Sequence, residues 1–226
     1  QLHRDPDTRP NNDCVACGAG AAGGVSEASG KRQTKAAQVS AGADAGHDAA
    51  FDAAAVAAAW VADESSLAVG DLSHTHATAV AWVLKDICNS AWSSDIKTAQ
   101  RAAQRVRTLL DSFDAKLIVA IAHWTDGLDA LTRGQMERVL DSLSQSRDIL
   151  LAQGLPREAA LTLLPSLIAQ AMLGRHVEAL DTATTARAEF LSAGDQRNAG
   201  KVECNLGSLY IQQDQYGKAA EVYKTA

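Results

Sequence analysis

The feature that most constrains this chain is a spacing. Turn formers recur at a fixed interval in its later part: Ser94, Gly134, Gly174 and Asp214 stand 40 residues apart. The same interval relates Ile96, Met136, His176 and Tyr216, then Ala99, Val139, Ala179 and Ala219, then Ala103, Leu143, Ala183 and Tyr223. Gly154 and Gly194 repeat too, with Asp114 one interval earlier. Self-similarity at a period between about 20 and 50 residues marks a solenoid, whose units each leave an apolar face that only a neighbour can cover.

Between these breakers lie segments with Leu, Val and Ile at three- and four-residue spacing: 79–92, 96–110, 116–131, 136–152, 157–173, 177–193, 196–212 and 216–226. Each reads as an amphipathic helix, and no window alternates strictly enough for a strand. The expectation is an all-α repeat domain over 80–226, with units near 80–119, 120–159, 160–199 and 200–226. Pro165 conflicts with a regular helix, since an interior proline removes a hydrogen bond and costs about 3 kcal/mol. Either the first helix of the third unit kinks there, or it begins after Arg157. Pro156 follows Gly154 and suits a helix start.

The earlier part has another texture. Residues 1–60 hold 18 Ala and 7 Gly, and Leu2 is their only Leu or Ile. Little branched apolar surface is present to offset the entropy of ordering the backbone, so disorder is expected for 1–48. The alanines of 48–63 suit a marginal helix. Gly70 and the Ser/Thr/His run after it read as a connector, with His74 and His76 as exposed loop histidines. Lys/Arg number 5 against 10 Asp/Glu in 1–79, a net −5, and 16 against 17 in 80–226, a net −1. A near-neutral array without a basic stripe argues against nucleic acid as a partner.

No stretch of 18 apolar residues suggests a membrane span. Cys14 and Cys17 form a C-x-x-C in Gly- and Ala-rich sequence, without the second ligand pair of a zinc site or the strand–helix setting of a redox site. They, Cys88 and Cys204 read as free thiols of a reducing cytoplasm. Neither a cofactor nor a metal is expected.

The last unit carries a resemblance. Asn205-Leu-Gly-Ser-Leu-Tyr210, followed by Tyr216, Ala219, Ala220, Tyr223 and Ala226, is similar to the tetratricopeptide repeat, L-G-x-x-Y, then Ala, an aromatic and Ala. The match is close over 201–226. Over 161–190 Leu173, Gly174, His176, Ala179 and Ala186 fit, while Ser166 and Gln170 replace the usual Leu and Tyr. The unit from Ala120 keeps Gly127, Gly134 and Leu143, and the unit from Val80 rests on register. The resemblance implies antiparallel helical hairpins stacked in a right-handed superhelix. Gly127, Gly207, Ala179 and Ala219 would sit where paired helices cross, and Tyr210, Tyr216 and Tyr223 would fill the gap between units. Since the common repeat has 34 residues, the second helix of each unit should be longer by roughly six residues.

The implied function is a protein-binding scaffold, holding a peptide or partner helix in a concave groove lined by first helices. Groove positions would be Leu84, Lys85, Cys88, Trp92, Trp124, Leu128, Leu131, Leu164, Ile168, Met172, Lys201, Asn205, Ser208 and Gln212. Any apolar member can equally be core. Lys201 and Asn205 resemble half of the family's carboxylate clamp, but Leu161/Pro165 and Ile121/Thr125 do not complete it. The long repeats also resemble bacterial arrays that precede a caspase-like (CHAT) peptidase, so a sensor arm of such an enzyme is one alternative. The ligand-sensing arm of a transcriptional or signalling regulator is another. No enzyme motif lies within the chain itself. With no polar capping helix after Ala226, the sequence reads as a piece of a longer protein or as an end that self-associates.

Overall fold

The computed structural model describes residues 51–63 and 67–225. The expectation for 1–48 lies outside them, as do Cys14 and Cys17. Among the described residues there are ten α-helices, one 3-10 turn at Val69–Asp71 and no strand. They are α1 Ala53–Ala62, α2 His74–Ala91, α3 Ile96–Ser112, α4 Lys116–Thr132, α5 Met136–Ala152, α6 Pro156–Leu161, α7 Leu163–Met172, α8 His176–Ser192, α9 Gln196–Gln212 and α10 Tyr216–Thr225.

The recurring glycines stop helices for a definite reason. Gly134, Gly154, Gly174 and Gly194 have φ of 71°, 72°, 72° and 70°, the left-handed region that an L side chain disfavours. Asp214, at the same place in the last unit, has φ 58°. All five turns close alike. The following N–H reaches back five residues, as in Gln135 N–H to Ala130 O at 2.9 Å, Arg175 N–H to Gln170 O at 2.9 Å and Gln215 N–H to Tyr210 O at 2.9 Å. Ser94 and Asp114 do not adopt this geometry, so the first unit keeps the interval but not the turn.

The helices form consecutive hairpins: α2 with α3, α4 with α5, α6/α7 with α8, and α9 with α10. Each second helix also packs on the first helix of the next pair. The first helices form a row, with α2 broad against α4 while α7 meets α4 and α9 at few points. One set spaced by 40 shares its setting, since Ala99, Val139, Ala179 and Ala219 are all buried, whereas the set Ile96, Met136, His176 and Tyr216 runs from buried Met136 to exposed Ile96 and Tyr216. The crossings need small residues. A Cβ on Gly127 would come within 2.9 Å of Leu143 Cγ, and one on Gly207 within 2.5 Å of Tyr223 Cζ.

Three sequence expectations change, and one open alternative is decided. First, helix begins at His74, not Ala79: the Ser73 hydroxyl caps it by accepting from His76 N–H at 3.2 Å. The connector histidines are therefore helical, with the His76 ring stacked on Phe51 at 3.9 Å. Second, the marginal helix is docked. Asp52 caps α1 through Ala54 and Ala55 N–H, both at 3.0 Å. Trp60 is buried, and Arg105 lies over its ring at 5.4 Å and donates to its carbonyl at 3.2 Å. Third, the second helices α3, α5 and α8 have 17 residues, no more than the first helices α4 and α9, so no extra length falls to them alone. Of the two alternatives at Pro165 the kink is the one found: the segment 157–173 is two helices that meet at Thr162, three residues before Pro165.

Candidate functional site

The row of first helices exposes very different amounts of itself along the array. Stripe positions 84, 124, 164 and 204 are Leu, Trp, Leu and Cys. The first two are buried and the last two half-buried. One turn on, Cys88, Leu128 and Ser208 are buried and Ile168 is half-buried. Position 172 carries Met172, 64% exposed, and its counterpart Gln212 is exposed too. The cause is spacing. α4 has α2, α3 and α5 against it and buries eleven residues, while α7 and α9 only brush each other.

The groove residues expected from sequence therefore divide. Leu84, Lys85, Cys88, Trp124, Leu128, Leu131 and Ser208 have their side chains turned inward. Burial takes these seven off the solvent face, because their register points at a closely packed neighbour. Trp92, Leu164, Ile168, Lys201 and Asn205 are half-buried, and Met172 and Gln212 are open. The surface that remains runs over α7 and α9, with Leu164, Ile168 and Met172 at four-residue spacing and Lys201 and Asn205 one turn apart.

At the other end of the row a cation is buried. The Lys85 ammonium lies 4.7 Å from the Trp124 ring centre and 5.4 Å from that of Trp82, and it contacts the carboxylate of Asp86. The two rings meet edge to face at 6.5 Å. Ring faces attract a desolvated ammonium, which makes a buried lysine tolerable here. Beside it Arg107 of α3 donates to Asp126 at 2.7 Å and to Asp129 at 3.3 Å on α4. Burial works against the Arg107 charge, but Asp126 and Asp129 outweigh it and hold the guanidinium pKa above its ordinary value. The Cys88 thiol is pushed up to about 12, first by burial and then by the Asp129 charge, so it stays protonated and unreactive at neutral pH.

A second periodic set escaped the sequence reading. Arg107, Arg147 and Arg187 are 40 residues apart on α3, α5 and α8, and every one grips a carboxylate of another helix. Arg147 holds Glu189 at 2.6 Å and Arg187 holds Glu203 at 2.7 Å. The 40-residue interval itself is the signal that finds them in the sequence. Two further pairs join the turns: Arg175 to Glu137 at 2.6 Å and Arg157 to Asp195 at 2.8 Å. Two open depressions lie elsewhere: one of about 590 Å³ at the Gly134 turn, lined by Met136, Arg138 and Leu173, and a smaller one on the flank of α4 and α5. The smaller measures about 390 Å³ between the shorter stretches of Lys116, Val119, Asp148 and Ile149, and includes none of the expected groove residues.

Among the described residues no three His, Cys, Asp or Glu side chains gather as a metal site, and no helix is long and apolar enough to cross a membrane. The geometry defines an all-helical array of stacked hairpins. Scans against family models, curated proteins and solved structures return no match.

Proposed function

We propose that this chain is a scaffold of the tetratricopeptide type that holds a peptide or partner helix along the row formed by α7 and α9. One observation carries the reading: where α4 buries Trp124 and Leu128, α7 leaves an apolar ridge partly open, with Leu164 and Ile168 half-buried and Met172 exposed, beside the half-buried polar pair Lys201 and Asn205. A protein that needed the stripe only for its core would cover it in every unit. Apolar residues at i, i+4 and i+8 next to polar side chains suit an amphipathic helix or an extended peptide.

The test is selection of peptides on the full chain, followed by affinity measurement on variants. Met172→Ala with Lys201→Glu should weaken a selected peptide by roughly 10-fold or more, as expected for a central anchor. Arg138→Ala, on the exposed side of α5, should leave affinity unchanged. If the α5 change hurts as much as the ridge changes, the ridge is not the binding surface.

A further inference from the structure

We propose that the array is jointed at Thr162–Pro165 and that Arg147 is the latch setting the angle of the joint. Pro165 has no N–H to offer the carbonyl of Leu161, four residues back. The remaining bonds across the break are long: Thr162 N–H to Ala159 O at 3.3 Å and Ser166 N–H to Thr162 O at 3.4 Å. Hydroxyls supply what the ladder lacks. Thr162 Oγ1 donates to Ala159 O at 2.7 Å and Ser166 Oγ to Thr162 O at 2.9 Å. A helix held by side chains at one point can change its kink without losing the rest of its ladder.

The core is divided along the helix that carries this break, α6 and α7 each giving one face to either side. One cluster runs from Ala57 to α5 and takes in Ala159 and Ala169. The other gathers Ala160 and Leu167 with Ala183, Phe190, Val202 and Leu209. Neighbouring Ala159 and Ala160 thus face different bodies. One side chain spans both. Arg147, on α5 of the first body, donates through Nη1 to Ala159 O at 2.8 Å, at the break. The same guanidinium is paired through both terminal nitrogens with Glu189 on α8 of the second body, at 3.2 and 2.6 Å. Its periodic counterparts Arg107 and Arg187 reach carboxylates, and no carbonyl at a helix break. Three acceptors in one fork fix the kink. Releasing them lets the pair α9–α10 swing relative to α2–α5, which on the scaffold reading alters the width of the ridge beside α7.

Distance distributions between site-specific spin labels on the full chain test this. One pair crosses the joint, Asp111 on α3 to Ala188 on α8. A control pair stays within the first body, Asp111 to Asp141 on α5. All three positions are exposed. Glu189→Gln, which keeps shape and removes charge, should broaden the crossing distribution roughly twofold and leave the control pair unchanged. Arg147→Ala should do the same and Arg147→Lys less. Adding Pro165→Ala to Glu189→Gln restores a donor for Leu161 O and should narrow the distribution again. An unchanged crossing pair, equal broadening of both pairs, or failure of Pro165→Ala to narrow it would each overturn the proposal. Peptide affinity plays no part in this readout, so a failed scaffold reading leaves it standing.

Discussion

The first two hairpins and the last two use one register to build different interiors. Around α4, stripe and crossing positions hold Leu84, Trp124, Leu128, Val139 and Leu143, all buried, and α1 covers the outer end with Trp60. Around α8 the corresponding interior is Ala179, Ala183 and Ala186 with Phe190 as its one large ring, and α10 leaves Tyr216 62% and Tyr223 40% exposed. The turns differ in the opposite sense. The glycine-type turn is regular from Gly134 onward and absent from the first unit. Turn geometry therefore sets the period, whereas side-chain volume sets how firmly each period is held. In a linear array stability is the sum of such local terms, so the alanine-lined end should open first.

The strongest way to break this comparison is truncation at one register position in both bodies. Trp124→Ala should cost about 3–5 kcal/mol in denaturant unfolding, as for a large buried ring. Leu164→Ala, half-buried in the same stripe, should cost clearly less, about 1–2 kcal/mol. Equal losses would show that the two interiors are equivalent after all.

Gly127→Ala and Gly207→Ala sharpen it. Leu143 is fully buried and has nowhere to go, so the first should cost about 1–3 kcal/mol. Tyr223 is part-exposed and can turn out to solvent, giving up its 3.0 Å hydrogen bond with Ser208 Oγ. The second should cost below about 1 kcal/mol, and faster amide exchange should be confined to α10.

Opposite pH limits separate the halves further. Asp195, the cap of α9, is disfavoured as an anion by burial, but hydrogen bonds from Asn198 and Arg157 prevail and hold its pKa below the ordinary value. The unfolded chain then takes up the proton first, so this stabilisation is present above pH about 4 and lost as pH falls through the folded value. Asp195→Asn keeps a capping side chain but removes the charge that Arg157 answers, so it should remove that acid-sensitive part at a cost of at most about 1 kcal/mol at neutral pH. Cys88 behaves in reverse. Its thiol ionises near 9.0 when unfolded and about 12 when folded, so its contribution is full below 9.0 and lost as pH rises from there. Cys88→Ala should flatten stability in that alkaline window, which a pH series of thermal melts would reveal. The smallest expected change is Asp214→Gly. It relieves a left-handed side chain but loses the 2.8 Å bond from the Tyr216 hydroxyl, for a net gain of at most about 0.5 kcal/mol in melting experiments.

What was legible in the sequence follows from these physics. A left-handed turn demands Gly or its like, so Gly134, Gly154, Gly174 and Asp214 announced the helix ends. Pro165 announced a defect, and the structure chose the kink at Thr162. α1 was undervalued because Leu and Ile were counted, while Phe51, Val56, Trp60 and Val61 do the packing. The surface was only half legible. Register tells which face of α4 or α7 looks toward its neighbours. It does not tell how near those neighbours come, and that distance made Trp124 core and its counterpart Leu164 half-exposed.

The arginines at 107, 147 and 187 have a consequence for how such a chain can change. The cation is the same at every joint, but what answers it differs: an aspartate pair on the next helix, a glutamate 42 residues ahead together with a carbonyl, then a glutamate 16 ahead. Hairpins that look interchangeable are keyed to their successors. Duplicating or reordering them would strand an arginine without its counter-ion, so the order of the modules is written into the chain.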